Sequence, residues 1–344
     1  MGQDINIAVV GATGAVGEEI LEVLAQRQFP IHRITALASE RSLGKIIDFA
    51  GKPIMIENLA DFDFSRTQIA LFSAGGEVSE KYAPIATEAG CIVIDNTSQF
   101  RYDEDVPLIV PEVNPQALGD YRQRNIIANP NCSTIQMVVA LKPIYDAVGI
   151  DRINIATYQA VSGSGKQGIQ ELAEQTAALL GGRVLEHKIY SQQIAFNVLP
   201  HIDSFEENGY TREEMKMVWE TQKIFSDPDI KVNPTAVRVP VFYGHSEAIH
   251  IETRKKITAD QARDLLEDAP GITVMDDPGE MRYPSPVGQA ARQDEVYVGR
   301  IREDISHPHG LNLWVVADNI RKGAALNAVQ IAELLLKNEG ITRG

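Results

Sequence analysis

Short apolar runs alternate with amphipathic stretches over the first 130 residues. Residues 5–10, Ile-Asn-Ile-Ala-Val-Val, form a β-rich run that passes through Gly11-Ala12-Thr13-Gly14-Ala15-Val16-Gly17 into residues 18–26, where Ile20, Leu21, Val23 and Leu24 recur at helical spacing. Residues 34–38, 69–72 and 91–94 read as further strands, and residues 77–89 have helical composition. Two of these strands run into Ser73-Ala74-Gly75-Gly76 and Asp95-Asn96-Thr97-Ser98. Near-continuous apolar strands separated by helices predict a parallel, doubly wound sheet with its functional loops at the carboxyl ends of the strands.

From about residue 132 the texture changes. Strand-like runs at 153–161, 236–242, 248–255, 296–301 and 312–317 predict a second, α+β domain on a mixed or mostly antiparallel sheet, with helices at 169–180, 211–222, 259–267 and 324–337. The last of these helices carries Leu326, Val329, Ile331, Leu334 and Leu335 as an apolar face, which predicts that it returns to pack on the first domain. Residues 278–286 read as a Pro/Gly-rich surface loop.

Composition narrows the function classes. The 344 residues hold 32 Lys and Arg against 47 Asp and Glu, a formal charge of −15. Such a surplus opposes binding to nucleic acid or an anionic membrane. Two cysteines are too few to staple a chain of this length, no leader segment is visible, and no stretch approaches the roughly 18 apolar residues of a membrane span. The expectation is a cytoplasmic enzyme or binding protein with small-molecule partners.

Three motifs carry chemistry. Gly11, Gly14 and Gly17, placed between the first strand and the first helix, are spaced to let the backbone approach a pyrophosphate at the helix N-terminus, which predicts a dinucleotide. After the second strand, Ser39, Arg41 and Ser42 suit a 2′-phosphate and favour NADP, while Glu40 keeps NAD open. The second cluster, Val161-Ser162-Gly163-Ser164-Gly165-Lys166-Gln167-Gly168, fails the P-loop template, since Ala160 replaces the first Gly and Gln167 the Ser/Thr. It reads instead as a flexible loop able to pass close to a ligand. In Asn129-Pro130-Asn131-Cys132-Ser133-Thr134, cap residues surround the cysteine. That places Cys132 at a helix N-terminus, where partial positive charge favours the thiolate. Cys91, among apolar neighbours, reads as an inert core thiol. His307 and His309 read as loop residues, and no metal site is expected.

The glycine turn, the Asn129-Pro130-Asn131-Cys132 box, the Val161 to Gly165 loop, Val237-Arg238-Val239-Pro240 leading to His245-Ser246-Glu247, and Ala317-Asp318-Asn319-Ile320-Arg321-Lys322-Gly323-Ala324-Ala325 together resemble the aspartate-β-semialdehyde dehydrogenases, almost end to end. The resemblance implies an α/β fold with a doubly wound Rossmann-type nucleotide domain, residues 1–131, and an α+β catalytic and dimerisation domain with a mixed sheet, residues 132–322. The helix at about 323–344 returns to the first domain. It implies NADPH-dependent reduction of aspartyl-4-phosphate, with release of phosphate, at the head of lysine, threonine and methionine synthesis.

In that reading Cys132 is the nucleophile, His245 the acid/base, and Gln159 orients the substrate. Arg238 grips the carboxylate, Arg101 and Lys216 hold phosphate, Glu213 meets the ammonium with Glu214 and Glu220 as alternatives, and Asn131 joins the substrate site. Gly11, Thr13, Gly14, Ala15, Val16, Ser39, Arg41, Ser42, Ser73, Asn96, Ser162, Gly163 and Asn319 contact the cofactor. The chain is expected as a homodimer or a dimer of dimers. From spacing alone, Glu213 and Lys216 read only as a solvated surface pair. Two rivals stand beside this reading: an N-acetyl-glutamyl-phosphate reductase, which leaves Glu213 no ammonium, and a non-enzymatic NADP-binding redox sensor using Cys132.

Overall fold

In the computed structural model, residues 5–184 and 186–339 are described; the end of the expected C-terminal helix, 340–344, lies outside them. Two compact units emerge, one of residues 1–131 with 324–344 and the other of Cys132–Gly323.

In the first unit the chain forms β1 (Ile5–Val10), α1 (Ala15–Gln26), β2 (Ile31–Ala38), β3 (Ile46–Phe49), β4 (Lys52–Asn58), β5 (Ile69–Phe72), α2 (Gly76–Glu88), β6 (Ile92–Asp95) and β7 (Ile126–Ala128). The second unit holds α3 (Cys132–Val148), β8 (Ile150–Gln159), α4 (Gly165–Leu180), α5 (Arg212–Phe225), β9 (Lys231–Arg238), β10 (His245–Thr253), α6 (Ala259–Glu267), β11 (Ile272–Val274), β12 (Val296–Glu303) and β13 (Gly310–Ala317), after which α7 (Leu326–Glu339) belongs again to the first unit.

The first sheet runs β3-β4-β2-β1-β5-β6-β7, parallel throughout except for β3 against β4. Strand order reverses at β1, the switch point where open α/β sheets bind ligands. Ile20, Val23 and Leu24 of α1 share one core with Leu326, Val329, Ile331 and Leu335 of α7. The antiparallel β3–β4 hairpin was not anticipated. Its two-residue turn, Ala50-Gly51, has positive φ at both positions, as a type I′ turn requires, and alanine there gives none of the usual Asn-Gly signal.

The second sheet runs β11-β12-β13-β10-β8-β9 and is mixed: β8 pairs with β9, and β11 with β12, in parallel, while the central pairs are antiparallel. One face carries buried residues at every second position, such as Ile153, Ile155, Thr157 and Gln159 on β8. His250, on β10, lies on the opposite face from His245 and pairs with Asp304 at 2.7 Å. Several strands start and stop earlier than the apolar runs indicate; β9, for example, ends at Arg238 and not at Phe242, because Pro240 has no N–H for a ladder.

Candidate active site

The glycine turn of the first unit is built by close approach. Gly11 has φ +85°, and a Cβ there would stand 2.9 Å from the Ser73 carbonyl carbon, while one on Gly17 would meet the Gly11 carbonyl oxygen at 2.2 Å. Gly14 stands at the N-cap of α1 and has no side chain to spend on the N–H groups of the first turn. A cavity of about 600 Å³ opens here, lined by Thr13, Gly14, Ser39, Glu40, Asn58 and Ser73 among others.

Among the other nucleotide candidates of this unit, Ala15 and Val16 open α1. Arg41 is exposed on the turn after Ser39, and Ser42 is buried in that turn. Neither Arg41 nor Ser42 is among the residues lining the cavity. Asn96 spends its amide internally, donating to the Phe72 carbonyl at 3.3 Å and accepting from Asn129 at 2.9 Å. Arg101 is buried, donating to the carbonyls of Asn129 (2.9 Å) and Asn96 (2.8 Å), and Asn131, two residues after Asn129, is also buried.

In the second unit Cys132 is the first residue of α3 and half-buried. A Cβ on Gly323 would lie 2.7 Å from the Cys132 Cβ, so the chain passes directly against the base of the Cys132 side chain and only glycine fits. Cys91, in contrast, is buried, and that burial pushes its thiol well up.

His245 and Arg238 are tied together through the backbone of one residue, Ala160. The Ala160 N–H donates to His245 Nδ1 at 3.0 Å, and the Ala160 carbonyl accepts from the Arg238 guanidinium at 2.8 Å. Because Nδ1 accepts, the neutral imidazole carries its proton on Nε2, and Nε2 is buried without a hydrogen-bond partner. Burial first, and Arg238 second, lower the His245 pKa to about 3. Gly163 lies against both side chains, since a Cβ there would stand 2.7 Å from the Arg238 guanidinium. The loop expected to be flexible is therefore a tight turn, with Val161 and Ser162 buried and bonded to the carbonyls of Val241 and Phe242.

Gln159 is buried, not a surface amide, and donates to Glu213 at 3.2 Å. Glu213 in turn meets Lys216 at 3.0 Å, and Lys216 also reaches Asp203 at 2.8 Å. Burial opposes the Lys216 charge, but Glu213 and Asp203 outweigh it and raise the pKa. The pair that spacing alone describes as solvated is thus enclosed. Glu214, an alternative for the ammonium, is spent on structure: it accepts from the N–H groups of Thr211 (2.7 Å) and Ala236 (2.9 Å), the first as half of a capping box. Glu220 is buried further along the helix. Asn319 accepts from Ser162 Oγ (3.1 Å) and from the Gly244 N–H (3.0 Å), which fixes its amide and leaves Nδ2 buried without a partner. Ala160 and Asp203 are not singled out as site residues by the sequence; Ala160 is placed by its contacts with His245 and Arg238, and Asp203 by its contact with Lys216.

Comparisons with known proteins place the chain among characterised relatives. Residues 6–121 match the semialdehyde dehydrogenase NAD-binding domain and residues 141–322 the semialdehyde dehydrogenase dimerisation domain. An aspartate-semialdehyde dehydrogenase of Shewanella sp. (strain DB6705) is 64% identical over 98% of this chain and 99% of its own length.

The chain belongs to the aspartate-semialdehyde dehydrogenase family.

As a member of the aspartate-semialdehyde dehydrogenases it is an oxidoreductase of amino-acid biosynthesis with a Rossmann-type nucleotide domain and a dimerisation domain. A crystal structure of aspartate semialdehyde dehydrogenase II from Vibrio cholerae, complexed with ASA, is 64% identical and superposes with a TM-score of 0.96 over 98% of this chain and 99% of that one. The family member from Candida albicans, solved with NADP, is 26% identical with a TM-score of 0.77 over 98% of this chain and 100% of its own. Among the described residues no helix is long and apolar enough to cross a membrane, and no group of three or more His, Cys, Asp or Glu is placed to hold a metal.

Proposed function

We propose that the protein reduces L-aspartyl-4-phosphate to L-aspartate-4-semialdehyde and phosphate with NADPH, through a thioester on Cys132, ahead of lysine, threonine and methionine synthesis. The observation that carries this reading is the backbone of Ala160, whose N–H fixes the imidazole of His245 and whose carbonyl fixes the carboxylate fork of Arg238.

The residues fit a dinucleotide. The uncapped α1 N-terminus and the cavity beside Ser39 suit a pyrophosphate and ribose, and the unpaired Nδ2 of Asn319 is a donor suited to a carboxamide. Gly11, Thr13, Gly14, Ala15, Val16, Ser39, Arg41, Ser42, Ser73, Asn96, Ser162, Gly163 and Asn319 are the proposed cofactor contacts. Bound NADPH would supply the hydride that reduces the thioester.

The chain's own groups do the rest. The Cys132 thiolate attacks the acyl carbon, the carbon–oxygen bond to phosphate breaks, and the acyl group stays on Sγ. His245 offers Nε2–H to the carbonyl oxygen where negative charge develops. Cleavage of the carbon–sulfur bond then frees the aldehyde and restores the thiolate. Arg238 holds the substrate carboxylate bidentately, Glu213 its ammonium, and Gln159 its orientation, with Asn131 part of the same site. Arg101 and Lys216 take the phosphate, for which Lys216 has to exchange its contact with Asp203. The test is absorbance at 340 nm with semialdehyde, phosphate and NADP supplied together; no increase in a folded protein would refute the reading.

Preference for NADP over NAD rests on Arg41. Arg41→Ala is expected to weaken NADPH about 10-fold to 150-fold more than NADH, the value of one charge-assisted contact of about 1.5–3 kcal/mol. Equal loss for both cofactors would remove Arg41 from the 2′-phosphate site.

The second unit also carries the proposed self-association. Tyr158 and Trp314 pack at 5.7 Å on the outer face of its sheet, and Phe205, Phe242 and Tyr243 are exposed. Light scattering should report a dimer or tetramer at micromolar concentration. A fully active monomer would contradict it.

A further inference from the structure

Glu247 is a buried carboxyl that the proposed chemistry leaves unused. It stands two residues after His245 on β10, so both side chains leave the same face of the strand. It is completely buried, and neither carboxyl oxygen has a hydrogen-bond partner among the described residues. Its register neighbours are Thr157 of β8 and Val315 of β13, both buried. From α3 it meets Gln136, whose amide favours the ionised form, but burial prevails and holds the pKa well above the ordinary carboxylate range. Burial thus favours the neutral acid over the carboxylate.

Gln136 lies four residues after Cys132, one turn further along the same side of α3. Its Nε2 is also buried and without a partner. A neutral carboxylic acid and a primary amide are complementary: the acid O–H donates to the amide oxygen while the amide N–H donates to the acid carbonyl. The two unpaired side chains thus answer each other, one turn beneath the nucleophile and two residues beneath the acid.

We propose that Glu247 is a positioning residue of the active site: with Gln136 it forms an acid–amide clasp that fixes the strand bearing His245 against the helix bearing Cys132. This rests on the reading of Cys132 and His245 as the catalytic pair. Those two groups stand on separate elements, and the clasp joins the elements directly below them. Precise placement matters, since a misplacement of about 1 Å can cost on the order of 100-fold in rate. Neutrality matters as well, because a carboxylate at this depth would oppose the thiolate.

The test is steady-state kinetics on Glu247→Gln, Glu247→Leu, Gln136→Leu and the double Gln136→Leu/Glu247→Leu variant, with Cys132→Ser as a control. Glu247→Gln keeps a neutral partner for the amide, and its kcat should stay within about threefold of wild type. Each leucine variant should lose about tenfold or more in kcat with KM little changed, and the double variant should be no worse than the poorer single one, the signature of a shared interaction. Loss of more than about tenfold in Glu247→Gln would make the carboxyl a proton carrier and overturn the clasp. So would full activity in the leucine variants, or additive losses. Should Glu247→Leu fail to fold, Glu247→Gln and Gln136→Leu decide the matter. Turnover that survives in Cys132→Ser overturns the catalytic pair itself, a failure separate from that of the clasp.

Discussion

Cys132→Ser is expected to keep NADPH and substrate binding while losing several orders of magnitude in turnover. Serine preserves the side chain's size at the head of α3, but its hydroxyl does not ionise at neutral pH, whereas a thiol has a reference pKa of about 8.5 that a helix N-terminus lowers. The thioester also needs a sulfur leaving group for the carbon–sulfur cleavage step. Mass spectrometry gives the direct check: wild-type protein with semialdehyde and NADP but no phosphate should show an acyl adduct on Cys132. Absence of the adduct, or a serine variant turning over near the wild-type rate, would return weight to the redox-sensor alternative.

His245→Gln should lose less, roughly 10²-fold to 10⁴-fold in kcat, the usual range for an acid or base in catalysis. Its pH behaviour is more diagnostic than its magnitude. With a pKa of about 3, set by burial and then by Arg238, the imidazole is neutral in the free protein at every pH where catalysis is measured. The profile of kcat/KM between pH 5 and 9 should therefore carry no limb near 6.5 from this residue, and the glutamine variant should have the same shape at a lower level. A limb near 6.5 that disappears in the variant would show that the ring ionises after all. Stability follows the same displacement: the unfolded chain takes up the histidine proton near pH 6.5 and the folded one only near 3. This residue accordingly costs stability as pH falls through that window, and the variant should be less sensitive there.

Much of this was legible along the chain where local chemistry decides local structure. Gly11, Gly14 and Gly17 announce the turn, and at Gly11 and Gly17 the close backbone approach admits only glycine. Cys132 is legible as a helix head because cap residues surround it. What the chain conceals is burial and long-range pairing. Glu213 and Lys216 look like any surface pair three residues apart until Gln159, 54 residues away, and Asp203 enclose them. Glu247 looks like one polar position in a strand until α3 covers it. The grip of Ala160 on His245, across 85 residues, is made by a backbone and so leaves no mark in the side-chain pattern.

That grip restricts traffic through the imidazole. With Nδ1 closed by a main-chain N–H, the ring has no second nitrogen through which to pass a proton onward to the solvent behind it. It is a dead end and not a wire. With Nδ1 occupied and the ring neutral, Nε2–H is held as a fixed hydrogen-bond donor, since giving that proton away would leave an imidazolate. The net movement of protons in the reaction then falls to the reacting molecules and to solvent, while the imidazole stabilises charge without changing its own.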